Sequence, residues 1–269
     1  MANVNPSPRA GRLVGVGVGP GDPALLTLQA VRTLESADRV VAPTTGDDTV
    51  GRAEWIVRQA LPALAVHRLV FSMTPDAVAD GAESRAASHR AAAAPLTEWL
   101  DDGLTVAFVT LGDPNIYSTF PSVAAAVVDE RPHTVVETVA GICAFQALAS
   151  ATGTVLLDGA ESMALVTALD GTAHVEAALA DRNRAVVVYK GGRHLPAVTA
   201  LLTASGRLDG AVFGELLGLP GQRVGAVDRA VNGQPASYLA TVIVPPAGRA
   251  SGPARRRAAG AYPPHGAVG

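Results

Sequence analysis

The feature that most constrains this chain is a short apolar run that ends in a dense glycine turn. Leu13–Val18 carries the run, and Gly15-Val16-Gly17-Val18-Gly19-Pro20-Gly21-Asp22-Pro23 carries the turn. A buried strand, a tight turn and a helix form the opening unit of an α/β layer fold. Glycines there adopt conformations closed to other residues and let backbone N–H groups come close to a ligand. The arrangement returns down the chain. Leu104–Val109 runs into Thr110-Leu111-Gly112-Asp113-Pro114-Asn115-Ile116-Tyr117-Ser118-Thr119-Phe120. Thr134–Val139 runs into Ala140-Gly141-Ile142-Cys143-Ala144-Phe145, and Ala185–Tyr189 into Lys190-Gly191-Gly192-Arg193-His194. A fifth segment, Glu215-Leu216-Leu217-Gly218-Leu219-Pro220-Gly221-Gln222-Arg223, has a Pro-Gly turn.

Apolar periodicity predicts helices over Ala24–Ala37, 49–61, Ala82–Asp102, Thr119–Asp129, Ile142–Ala151, His174–Ala180 and Leu195–Ala204. Pro95 is expected to kink or divide the third of these. Further strands are predicted at Arg39–Ala42, His67–Phe71 and Ser162–Thr167. Ala211–Leu217, Arg223–Asp228 and Tyr238–Val244 follow with no helix read between them, which implies antiparallel pairing. The pattern predicts an N-terminal α/β domain over 12–130 and a mixed α/β domain over 134–247, divided near Pro132. Residues 1–11 and 248–269 lack apolar periodicity and are expected to be disordered.

Composition narrows the function. Hydrophobic residues make up 48% and charged residues 17%, enough apolar material for a substantial core. The net charge of −3 argues against a general nucleic-acid binder. Over 12–247 there are 16 basic against 24 acidic residues, a net of −8. An anionic ligand must therefore be met by a local cationic patch. Arg68, Arg193, His194 and Arg223 stand near predicted element ends and are candidates for that patch. No run is apolar enough to read as a signal peptide or a membrane span. The single cysteine, Cys143, excludes a disulfide framework and fits a reducing, cytoplasmic setting. His67 and His194 lack partners at metal-ligand spacing, so no metal site is expected. Cys143 has no evident histidine to activate it as a nucleophile.

The glycine turns invite comparison with a dinucleotide site. That motif wants glycine at its sixth position, where this chain has Pro20, and an acid after the second strand, where this chain has Ala42-Pro43. Asp38 precedes that strand. A nicotinamide site is disfavoured. Ligands of open α/β sheets bind beyond the carboxyl ends of the strands, where the first two glycine loops fall. There Asp113 is read either as an acceptor for a ligand or as a cap of its own turn.

Taken together, GVGPGDPALLTLQA, GDPNIYSTF and LPGQRV, in this order over roughly 12–245, resemble the tetrapyrrole methylase family. GDP followed by IYSTF looks most like the members that methylate C20 of precorrin-2 or cobalt-factor II in cobalamin synthesis. The resemblance implies two α/β domains with an active-site cleft between them, S-adenosylmethionine as methyl donor with S-adenosylhomocysteine as product, and a homodimer. It implies a donor site that includes Pro20, Leu111, Gly112, Asp113, Ile116, Cys143, Ala144, Lys190 and Leu217. It further implies a polycarboxylate tetrapyrrole substrate, and Tyr117 is the nearest polar candidate for moving a proton. The chain departs from the family pattern at Ala140, where proline is usual, at Cys143, where serine or threonine is common, and at Lys190, where an apolar residue is usual. Methylation of another tetrapyrrole position, or binding without catalysis, stays open at this point.

Overall fold

The computed structural model describes residues 10–46, 50–70, 81–230 and 236–248. The chain divides into two compact units, Met1–Cys143 and Ala144–Gly269. The ends expected to be disordered lie, apart from Ala10, Gly11 and Gly248, outside the described residues.

The first unit is built on one sheet. Its strands are β1 (Arg12–Gly17), β2 (Arg39–Thr44), β3 (His67–Val70), β4 (Thr105–Thr110) and β5 (Val135–Val139), in the order β3-β2-β4-β1-β5. Every pairing is parallel. Parallel neighbours need long crossovers. Among the described residues four α-helices occur between these strands: α1 (Leu28–Ser36), α2 (Arg52–Ala60), α3 (Gly81–Asp101) and α4 (Phe120–Glu130). β1 and β4 are buried along almost their whole length, as strands covered on both faces must be. The core joins Leu13, Phe108, Phe120, Val123, Leu96 and Val127. The rings of Phe108 and Phe120 lie 5.8 Å apart and tilted, a favourable aromatic geometry.

Three local outcomes differ from the sequence reading. The chain after Asp22 first makes a 3-10 turn, Pro23–Leu25, and α1 begins only at Leu28. Asp22 caps the turn through Ala24 N–H (2.9 Å), and Thr27 caps α1 through Ala30 N–H (3.1 Å), so two caps divide what periodicity joined. Pro95 does not divide α3, which runs unbroken from Gly81 to Asp101. Ala93, Leu96 and Leu100 around it are buried in the core, and that packing outweighs the backbone bond a proline cannot donate. Finally, β5 belongs to the first sheet, where it pairs with β1. Pro132 therefore lies inside the first unit.

The second unit carries β6 (Ser162–Thr167), β7 (Arg184–Tyr189), β8 (Val212–Glu215), β9 (Arg223–Ala226) and β10 (Thr241–Val244), in the order β6-β7-β10-β8-β9. β6 and β7 are parallel. The other three pairings are antiparallel, as expected for the last strands. The helices are α5 (Ala144–Thr152), α6 (Ala173–Leu179), α7 (Leu195–Ala204) and the single turn α8 (Val227–Ala230), which follows β9 and was not anticipated. Among the described residues no helix is long and apolar enough to cross a membrane.

Candidate functional site

Because the first sheet is parallel, the carboxyl ends of all five strands meet at one rim. Three loops converge there, following β1, β4 and β5. They are joined backbone to backbone. Val18 N–H donates to Thr110 O (3.0 Å), Gly112 N–H to Gly19 O (2.8 Å) and Gly19 N–H to Gly112 O (3.4 Å). Glycine is required for two different reasons. A Cβ on Gly141 would sit 2.1 Å from Gly112 O, and one on Gly17 would sit 2.6 Å from the same oxygen. Those glycines let three backbones pack together. Gly112 instead has φ +74, and a Cβ there would meet nothing within 4 Å. Its backbone is left-handed and its α-carbon faces open space, which is what a backbone-approaching ligand needs.

Asp113 holds this rim together. Its Oδ2 accepts from Gly141 N–H (3.0 Å) and its Oδ1 from Asn115 N–H (2.9 Å). The carboxylate thus serves both as a turn cap and as a tie from the β4 loop to the β5 turn. Next along the loop, Thr110 and Ser118 hydroxyls bond at 2.9 Å, and Ser118 accepts from Phe120 N–H (3.0 Å). These bonds arch the segment between them. Leu111 and Ile116 are half-buried, Pro20 is buried and Tyr117 is exposed. Tyr117 has φ +48, a conformation that non-glycine residues rarely adopt. The other non-glycine residues with positive φ among those described are Lys190 (+56) and Leu216 (+51). All three fall on loops that the sequence singles out, and such strain gathers where function holds the backbone.

Cys143 is buried, and its thiol is pushed up to about 11, first by burial and then by the negative charge of Asp113. It is protonated at neutral pH and is no nucleophile. Among the described residues no group of three or more His, Cys, Asp or Glu side chains could hold a metal ion.

Two arginines predicted to meet an anion are engaged inside the protein. In the first unit, Arg68 donates from Nε to Glu54 Oε2 (2.8 Å) and from Nη2 to Glu54 Oε1 (3.1 Å). Arg58 Nε donates to the same Oε1 (2.7 Å). Burial alone would raise the Glu54 carboxyl, but bonds to Arg68 and Arg58 and their charges outweigh it and hold it below its ordinary value. In the second unit, Arg223 donates to buried Glu215 (2.6 Å) and lies over the Phe213 ring.

The second unit's loop after β7 places the remaining predictions. Lys190 lies over the Tyr238 ring at 5.7 Å, within cation–π range. Arg193 is exposed, and His194 is the N-cap residue of α7 without a side-chain cap bond. Gly192 has no room for a Cβ, which would lie 2.0 Å from Ser237 O. Leu217 is 5% exposed and packs with Leu148, Val187 and Ile243. Sequence reasoning missed Gly17 and Gly141 as packing glycines, and it missed Glu54. The signal for Glu54 was an acid directly after Ala53 and ahead of Ile56 and Val57, with an arginine four residues on.

Residues 12–230 match the family model described as Tetrapyrrole (Corrin/Porphyrin) Methylases. The chain is 33% identical to a precorrin-2 C(20)-methyltransferase of Sinorhizobium sp over 239 residues, 87% of this chain and 95% of that one. It is 32% identical to a cobalt-precorrin-2 C(20)-methyltransferase of Salmonella typhimurium over 238 residues, 87% of this chain and 96% of that one. In fold it is similar to a uroporphyrin-III C-methyl transferase of Thermus thermophilus solved in complex with S-adenosyl homocysteine. The TM-score is 0.59 at 20% identity, covering 87% of this chain and 97% of that one.

Proposed function

The chain belongs to the tetrapyrrole methylase family, and on that premise we propose that it is an S-adenosylmethionine-dependent methyltransferase. Its acceptor in this reading is C20 of precorrin-2 or of the cobalt-containing counterpart, and its pathway is cobalamin biosynthesis. The observation that carries the reading is the likeness to two C20-methyltransferases over nearly the whole length of each.

The residues of this rim fit a donor of this class. The rim of the first unit offers an open α-carbon at Gly112, with half-buried Leu111 and Ile116 beside it. When bound, the donor supplies a methyl group already activated on a sulfonium sulfur. The protein then has little chemistry to perform beyond placement. Holding two reactants in line is worth several kcal/mol, up to about 7–11 in ideal cases. In this reading the tie from Asp113 to Gly141 N–H sets the shape of the donor loop, and Leu111, Gly112 and Ile116 line it. Pro20 is buried on the loop after β1, while Cys143 and Ala144 follow the β5 turn. Lys190, on the loop after β7, and Leu217 are further candidates for donor contacts. Tyr117 stays the nearest polar candidate for moving the proton that leaves C20. Arg68, Arg193, His194 and Arg223 are the candidates for the carboxylates of the tetrapyrrole.

The reading includes a cytoplasmic homodimer. Val135 and Val136 support it, being 41% and 37% exposed on the edge strand β5, where apolar side chains otherwise invite misassociation. Light scattering on the purified chain checks it, and a monomer at micromolar concentration counts against it.

The experiment for methyl transfer mixes the purified chain with S-adenosylmethionine and freshly generated precorrin-2. Mass analysis should show one added methyl group, and carbon NMR should place it at C20. A methyl at another carbon would move the assignment to a different position of the ring. Donor binding without any methylated product would leave only a binding protein.

A further inference from the structure

We infer that Glu215 is a positioning residue of the methyl-donor site, bracing the segments of the second unit that carry Lys190 and Leu217. The inference rests on the methyltransferase reading above and adds to it a residue outside the donor contacts and the route by which it acts.

The sheet of the second unit has a rim of its own. β10 runs antiparallel to β7 and β8, and β9 antiparallel to β8, so the carboxyl ends of β7 and β8 lie beside the amino ends of β9 and β10. Register places Thr241 between Tyr189 and Gly214, and Glu215 opposite Arg223. Three segments come to this rim: residues 190–192 after β7, 215–217 at the end of β8, and 237–238 ahead of β10.

Glu215 joins them. It is 6% exposed. Its Oε1 accepts from Arg223 Nε (2.6 Å) and its Oε2 from Ser237 N–H. The Ser237 carbonyl in turn closes on Gly192, where a Cβ would lie 2.0 Å from it. The ring of Tyr238, the next residue, lies under Lys190 Nζ at 5.7 Å. One carboxylate thus fixes its own strand end, the approach to β10 and, through Ser237 and Tyr238, the loop after β7.

Two observations point beyond packing. A buried carboxylate carries a desolvation cost that a well-packed apolar residue at the same strand end would avoid. And two of the three non-glycine residues with left-handed backbone among those described, Lys190 (φ +56) and Leu216 (φ +51), stand on the braced segments. Such backbone persists where the surroundings over-determine it, and it gathers where function fixes geometry. Lys190 and Leu217, the neighbour of Leu216, are the donor candidates concerned.

The test is calorimetry of S-adenosylhomocysteine binding to the full chain, as wild type, Glu215→Ala, Glu215→Gln, Tyr238→Ala and Tyr238→Phe. Glu215→Ala should weaken the Kd about tenfold at unchanged stoichiometry, the effect of one charge-assisted hydrogen bond. Glu215→Gln keeps an oxygen for Ser237 N–H and should weaken it only about threefold. Tyr238 is 50% exposed, so its truncation spares the core. Tyr238→Ala should weaken the Kd about threefold, and Tyr238→Phe, which keeps the ring, should match wild type. A Glu215 that serves folding alone would lower the stoichiometry, as unfolded chain drops out, and leave the Kd of the rest unchanged. That result overturns the inference, and so does an unchanged Kd in Tyr238→Ala. Where Glu215→Ala fails to fold, Glu215→Gln carries the same reading, and a wild-type Kd there overturns it. Wild type that binds no S-adenosylhomocysteine removes the donor reading itself, and the inference with it.

Discussion

At the residue scale the glycines of the rim divide by what they do, and the division is testable. Gly112 needs its left-handed backbone, whereas Gly141 needs the absence of a side chain. Gly112→Ala should therefore cost about 1–2 kcal/mol, the penalty of a left-handed L-residue. Gly141→Ala drives a methyl into a carbonyl oxygen held by backbone on both sides and should cost about 3 kcal/mol or more. Urea unfolding of the two variants checks this, and equal losses would show that the loops part easily. The sequence announced both glycines by their place after strands, but sequence cannot tell space from dihedral angle, because both demands select the same residue. Cys143 offers a second test at this scale. Its thiol titrates near 9.0 when exposed and is raised to about 11 in the fold. A raised acid contributes stability that is complete below the unfolded value and is lost as pH rises through the folded one. The wild-type advantage over Cys143→Ala should thus shrink between pH 9 and about 11, read from denaturant unfolding. A gap that stays constant over that range would mean that the thiol is not being kept from ionising.

At the scale of elements, the alternation of apolar runs with turns made every strand of both sheets legible to within a few residues. Sheet membership was less legible. β5 starts after a proline and opens with exposed residues, so it reads like the start of a new series. It is in fact the edge strand of the old one, and edge position, not a new core, explains its exposed pattern. The candidate site was legible in the same uneven way. Loops were readable because turn chemistry is local, whereas the burial of Leu217 was not, because it depends on Leu148, Val187 and Ile243, all distant in sequence. Arg68 and Arg223 were readable as cations near strand ends, but not as partners of buried acids. The Glu54 tie between α2 and β3 gives a prediction at this scale. Its carboxyl is held below the ordinary value of 4.5, so the tie stabilises the fold fully above that pH and loses its contribution as pH falls through the lower folded value. Glu54→Gln should be less stable by about 3 kcal/mol at neutral pH, the low end for breaking a buried pair. That deficit should close on acidification. A deficit independent of pH would assign it to packing instead of charge.

At the scale of the whole molecule, the balance of charge sets how a polyanionic substrate can arrive. The chain is net −3, and net −8 over 12–247, so its long-range field repels such a ligand. That repulsion is screened beyond a Debye length of about 8 Å at physiological ionic strength, whereas close contacts in a partly buried site are screened far less. Two consequences separate the ranges. Raising salt should leave kcat/KM for the tetrapyrrole unchanged or increase it, because it lifts the distant repulsion first. Removing one close contact should lower it by the same factor at every salt concentration. Arg193 is the residue to remove, exposed on the loop after β7 and unlike Arg68 and Arg223 not bonded to a buried acid in any described pair. Arg193→Ala should raise the KM about tenfold, the effect of one charge-assisted hydrogen bond, and leave S-adenosylhomocysteine affinity intact. Steady-state kinetics across a salt series read both consequences in one experiment. A steep fall of kcat/KM with salt in wild type would show that the substrate is steered by a positive field that outweighs the net charge. A loss of donor affinity in Arg193→Ala would move this loop to the donor side of the site.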